Sequence, residues 1–284
     1  MPVRVVTRGP ERAVIVGVCI EGNGPLPFAL DTGAVGSFIS TATAARLGLS
    51  SSGASRPAAG VGCSETTTTL ALAAWSVDNI ELAPQQVLSG YMHPLGSLTL
   101  AGILGADVLR RFGAIGLDYR SQTLSLAAPE GPPPPQAAAI TRGPVAPATD
   151  ALVQSSDPEP VPVSLVEGQR RTQVLAPVEI AGSTRSFVVD TGAGTSVVSP
   201  LVVRDGHLSA AGPPQTRDAL ACTVTAEPVR TGPWSVGSVR LPSQVVVSDP
   251  LPSPSLGGLL GNDVLSRNGR MVLDFAAATL YLNP

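Results

Sequence analysis

Two aspartates occupy the same local setting at two places in a chain of 284 residues. Asp31 lies in FALDTGAVGSFIS (28–40) and Asp190 in FVVDTGAGTSVVS (187–199), with seven of the thirteen positions identical. An acid followed by Thr and Gly at the end of an apolar run can present one carboxyl group on a tight turn. Two such groups brought together do chemistry that neither does alone. Carboxylates about 3 Å apart cannot both ionise, so they share one proton and act on a single water as base and acid together. Hydrolysis of an amide without a metal or a covalent intermediate needs that pairing. A single Asp-Thr-Gly reads as a surface turn between strands, whereas two in matched contexts read as one site that needs both.

Other chemistry is poorly supplied. His93 and His207 fall in loops without ligand spacing, and Cys19, Cys63 and Cys222 make neither a CxxC pair nor a disulfide framework, so no metal and no cofactor is expected. The net charge is -3 and all 18 basic residues are arginines scattered without a basic tract, which argues against a nucleic-acid partner. No apolar run reaches transmembrane length. The opening MPVRVVTRGP has no apolar signal core, which leaves the compartment open between the cytoplasm and, behind a trimmed leader, the envelope or secretion. With 43% hydrophobic and 14% charged residues, the chain can build a large core.

The elements that must position the two acids are themselves repeated. Sliding the chain by 159 residues sets 2–10 on 161–169, the two DTGA segments on each other, Trp75 on Trp234 and Cys63 on Cys222. After Ser89 and Ser248 the offset becomes 156, and thirteen of 25 positions in 102–126 and 258–282 are identical. The expected organisation is a first lobe over 1–128, a linker over 129–159 containing four consecutive prolines, and a second lobe over 160–284. Within each lobe the pattern is β. FALD and FVVD are strands ending in the acid, 41–49 is a short helix, and 66–82 is two strands around a bend. GADVLRRF and NDVLSR are short helices that Asp107 and Asp263 can cap. Asp118 and Asp274 read as strand-turn contacts, and a closing hairpin ends each lobe. The fold class is all-β: two lobes related by a pseudo-twofold axis, with a cleft between them.

Each DTGA also follows an apolar strand and precedes, by about 70 residues, an apolar-apolar-Gly triplet (ILG and LLG). With ARLGL after the first DTG and the LG-x-D-x-L helix entry, the chain resembles the retroviral-type aspartic proteases over nearly all of both repeats. Those enzymes assemble one site from two identical subunits. Here the dimer is fused in one chain, as in pepsins, while each half keeps the small retroviral size. The resemblance implies an aspartic endopeptidase with Asp31 and Asp190 as the dyad, acting on an extended protein or peptide substrate as a monomer. It further implies that Thr32 and Thr191 bond across the twofold and that Gly33 and Gly192 let backbone approach the carboxyls. Ala34 and Ala193 stand where pepsins carry a hydroxyl, which implies a working pH of about 5–6 rather than about 2. Flaps are expected over 58–70, with Gly60, Val61, Gly62 and Cys63 at the tip, and over 219–232, with Cys222 and Thr223, the second stiffer or reduced. Cys63 and Cys222 at matched tips raise a disulfide across the cleft as one option beside idle thiols. Neither flap carries the tyrosine of pepsins. The competing readings are a catalytically silent peptide-binding or scaffold module and an enzyme that needs processing.

Overall fold

Period-two burial opens each half of the molecule, as a strand with one face in the core requires. Along Glu11–Ile20 the side chains of Val14, Val16, Val18 and Ile20 are buried, and along Arg171–Ile180 those of Val174, Ala176, Val178 and Ile180. The computed structural model describes residues 1–8, 11–51, 53, 55–62, 64–127, 159–168, 171–219 and 223–282. The proline-rich segment expected as a linker lies outside the described residues up to 158, and Glu159 already begins a strand, Glu159–Pro162.

Each opening strand turns back antiparallel onto a strand that ends at an aspartate: Asn23–Leu30 before Asp31, and Ser183–Val189 before Asp190. These two strands then pair in parallel with Gly102–Leu104 and Gly258–Leu260, the strands that lead into the apolar-apolar-Gly triplets. On their far side those triplet strands meet Phe38–Ser40 and Val197–Val198, which pair in parallel with Gln85–Gly90 and Val245–Ser248. The result is one ten-stranded and one eleven-stranded sheet of matching order. Short helices follow, Thr41–Arg46 and Pro200–Asp205, where Ser40 and Ser199 accept the amides of Thr43 and Val202 as N-caps.

Three features differ from the sequence reading. The stretch read as two strands around a bend is three, Ser64–Leu72, Trp75–Val77 and Ile80–Leu82, because Asp78 adopts φ +51° and closes a two-residue hairpin turn. The helices Ala106–Leu109 and Asn262–Leu265 are entered from Gly105 and Gly261 with no side-chain cap, so Asp107 and Asp263 do not cap them. The offset at the start is 160 rather than 159: Arg4 pairs with Ile15 as Ser164 pairs with Leu175. One extra residue in the first lobe is absorbed where Ile20 pairs with Asn23 but Val18 with Leu26, a bulge that has no counterpart in the even register of Ile180↔Ser183 and Val178↔Arg185.

A third sheet of five strands joins the halves. The closing hairpin of the first lobe, Ala114–Asp118 with Thr123–Ala127, pairs with that of the second, Arg270–Asp274 with Thr279–Leu282, and Glu159–Pro162 adds an edge. Ala114 faces Asp274, Gly116 faces Val272 and Asp118 faces Arg270, so equivalent residues cross at the middle of the ladder. Ile115, Leu117, Leu124, Met271, Leu273 and Leu280 are fully buried beneath it, in a hydrophobic cluster that also contains the inward faces of both opening strands.

A core and a sheet shared in this way should unfold as a unit. Each lobe holds one buried tryptophan, Trp75 and Trp234, whose indole N–H donates to Ala83 O (2.9 Å) and Pro242 O (3.2 Å). Urea unfolding followed separately in Trp75→Phe and Trp234→Phe variants should match, for each variant, the transition that far-UV circular dichroism reports. A fluorescence transition displaced from the circular dichroism transition would show the lobes to be independent.

Candidate active site

Asp31 and Asp190 leave the ends of their strands at the junction of the lobes. Their own amides donate to Leu104 O and Leu260 O (3.0 Å each), extending the parallel pairing with the triplet strands. The turn that follows wraps each carboxyl: Asp31 Oδ1 accepts Gly33 N (2.9 Å) and Ala34 N (2.8 Å), and Asp190 Oδ1 accepts Gly192 N and Ala193 N (2.9 Å each). The carboxyls are hydrogen-bonded to each other and are only 5% and 9% exposed. A Cβ on Gly33 would stand 2.4 Å from Asp190 Cγ, and one on Gly192 2.3 Å from Asp31 Cγ, so any side chain at either position would occupy the place of the opposite acid.

The threonines between them cross. Thr32 N donates to Thr191 Oγ1 (3.0 Å) and Thr191 N to Thr32 Oγ1 (3.1 Å), while the hydroxyls donate to Val189 O (2.7 Å) and Leu30 O (2.8 Å). The amides and hydroxyls of both buried threonines are thereby all used, in a setting where an unpaired one would cost about 1–3 kcal/mol.

Burial pushes the Asp31 carboxyl above the usual range, against the opposing pull of the Ala34 amide. Asp190 is pushed well above it, first by burial and then by the charge of Asp31. The two titrate as one coupled pair.

A second ring of residues, not singled out in the sequence, holds the turns. Ser37 donates to Asp107 Oδ1 (2.7 Å) and accepts Gly105 N (3.0 Å); Ser196 donates to Asp263 Oδ1 (2.6 Å) and accepts Gly261 N (3.0 Å). Gln85 and Gln244 donate to the remaining carboxylate oxygens of Asp107 and Asp263 at 2.9 and 2.8 Å. This brace, rather than capping, is what the paired aspartates do. Its signal was present in the chain, since Ser37 and Ser196, and Gln85 and Gln244, are identical at the same offset as the DTGA segments. Asp118 and Asp274 are turn contacts, accepting the amides of Arg120 and Ser121, and of Ala277.

Asn262 breaks the symmetry. Fully buried, it donates to Thr191 O (2.7 Å) and to Arg12 O (2.9 Å) and accepts from Tyr119 Oη (2.6 Å), whereas its counterpart in the first lobe is Ala106. A feature present in one repeat only leaves no trace in a comparison of the two.

Both flaps are hairpins. Arg56–Ala59 pairs with Ser64–Leu72 and Gln215–Asp218 with Thr223–Arg230, four residue pairs on each outer arm, so the second flap is not reduced. Its proline, Pro228, pairs with Val247 on the body of the lobe, away from the outer arm. Gly60, Val61 and Gly62 form the first tip. Gly62 (φ +70°) donates its N–H across the cleft to Pro250 O (3.1 Å), and Val61, like Ala193 and Leu251, packs against a second-lobe apolar cluster that includes Val188, Val197 and Leu259. Thr223 begins the returning arm of the second flap. Cys63 and Cys222 lie outside the described residues.

A family model described as aspartyl protease matches the chain twice, over residues 16–108 and 176–264. The matches span most of the chain and bracket one DTGA segment and one triplet each; the protein belongs to the aspartyl protease family. No curated protein matches it.

Because the fold holds both carboxyls protonated more tightly than the unfolded chain does, the stability they provide is complete below the unfolded carboxyl pKa of about 3.8 and is lost as pH rises through the folded values. Asp190→Asn keeps the amide acceptor but removes that titration. Its urea midpoint should exceed that of the wild type by more at pH 7 than at pH 4, on the order of 1–3 kcal/mol in stability. A constant difference between the two pH values would contradict the raised pKa.

Proposed function

We propose that the protein is an aspartic endopeptidase of retroviral type, fused as a tandem repeat in a single chain. The observation that carries the reading is the pair of buried, mutually hydrogen-bonded carboxyls of Asp31 and Asp190, one from each lobe and each held by two backbone amides. With one proton on the pair, the ionised carboxyl takes a proton from a water whose oxygen bonds to the peptide carbon. The other carboxyl gives its proton to the carbonyl oxygen. Collapse of the resulting diol breaks the C–N bond, with a proton delivered to the leaving amine. Thr32 and Thr191 lock the two turns, and Gly33 and Gly192 leave room for the acids. Gly60, Val61 and Gly62 cover an extended peptide from one side, and the hairpin that begins its return at Thr223 covers it from the other.

Cleavage of a mixed peptide library should be abolished by Asp31→Asn and by Asp190→Asn alike, since neither acid works alone. Products common to both variants and the wild type would sink the reading. Absence of cleavage by any of the three proteins would favour a silent peptide-binding module.

The pH profile should be a bell whose alkaline limb lies above the ordinary carboxylate range, because the second proton leaves a pair already carrying one buried charge. Ala34→Ser and Ala193→Ser return a hydroxyl donor to the ionised form. Each should move that limb to lower pH by about one unit, the worth of one charge-assisted hydrogen bond of about 1.5 kcal/mol. A limb that stays in place would assign it to another group.

A further inference from the structure

A cavity of about 380 Å³ opens between the lobes. Its walls include Arg12, Arg120, Tyr119 and Gln122 from the first lobe and Ser266 and Arg267 from the second. Three arginines line it in a protein whose net charge is -3, and no carboxylate stands among its described walls. Asp118, on the same strand as Tyr119, is committed to the amides of Arg120 and Ser121 and has Arg270 beside it. Cations facing one another across a cavity repel, and an arrangement of this kind gains only when an anion stands between them.

The duplication supplies an internal control. The positions equivalent to Arg12 and Arg120 are Thr172 and Ala276, and the position equivalent to Thr7, another wall residue, is Glu167. There Arg110, the counterpart of Ser266, pairs with Glu167 at 3.2 Å, while Arg111 bonds to Gln85 much as its counterpart Arg267 donates to Gln244 (3.2 Å). Among the described residues, one side of the twofold sets Glu167 against its arginine, and the other gathers Arg12, Arg120 and Arg267 with no carboxylate in its walls. Fold alone would have treated them alike.

We propose that this cavity is a binding site for a multiply charged oxyanion of the phosphate class, held between the lobes by Arg12, Arg120 and Arg267. Guanidinium forks match the geometry of phosphate oxygens, and the volume suits a small phosphorylated molecule. Arg12 already donates to Ser266 Oγ across the lobe boundary, and Tyr119 donates to Asn262, so an anion seated there rests on groups one carbonyl away from the threonine junction. The site is independent of whether the dyad cleaves peptides.

The test is titration of the full chain with inorganic phosphate and with pyrophosphate, ionic strength being held constant with sodium chloride. Saturable binding is expected, with pyrophosphate the tighter ligand. The unfolding temperature should rise by roughly 5–10 °C at a hundredfold excess over the dissociation constant. Arg120→Gln combined with Arg267→Gln should weaken binding at least tenfold, whereas Arg204→Gln, on an exposed helix end, should not. Both substituted side chains are exposed, so the fold should survive; if the double variant unfolds, Arg120→Gln alone carries the comparison. Equal affinity in wild type and variant, or a thermal shift reproduced by sodium chloride, would overturn the proposal.

Discussion

Two acids that repel each other are kept side by side in a nearly dry place, and the molecule is arranged around that constraint. The crossed bonds of Thr32 and Thr191 hold the turns so that neither carboxyl can withdraw without breaking four buried hydrogen bonds. Burial disfavours charge on either acid, and at Asp190 the charge of Asp31 adds to it, so the strain is relieved by a proton rather than by movement and both acids titrate high. Glycine at 33 and 192 is a direct consequence, since each backbone lies against the opposite carboxyl.

Rigidity at that point is inherited from outside it. The Ser–Asp–Gln braces fix each turn to the triplet loop of its own lobe, and the five-stranded sheet fixes one lobe to the other. Equivalent strands pairing at the middle of that sheet reproduce, within one chain, the contact that two identical subunits would make. A dyad split between lobes therefore sits on a shared core rather than on a hinge.

Departures from symmetry are where a duplicated chain acquires something a homodimer cannot have. The bulge in the first hairpin, Asn262 opposite Ala106, and the arginines gathered on one side each occur once among the described residues. In a symmetric dimer each would be imposed twice, and one twofold-related pair would have to satisfy two roles with the same residues.

The duplication, the all-β character, the acid at the end of each strand and the triplet beside it were legible in the chain, because each depends on local period and on two copies agreeing. Asp107 and Asp263 were legible as a structural pair but not as braces, since their partners Ser37, Gln85, Ser196 and Gln244 lie 19 to 70 residues away. The one-residue slip at the start was hidden because a bulge leaves side-chain types unchanged and alters only pairing. By itself the sequence determined that there are two carboxyls in matched turns on a β framework. Only the tertiary structure decided that those carboxyls share a hydrogen bond, that burial raises both, and that three arginines distant in sequence face one cavity, because distances across the lobe boundary are set by sheet pairing and core packing rather than by spacing along the chain.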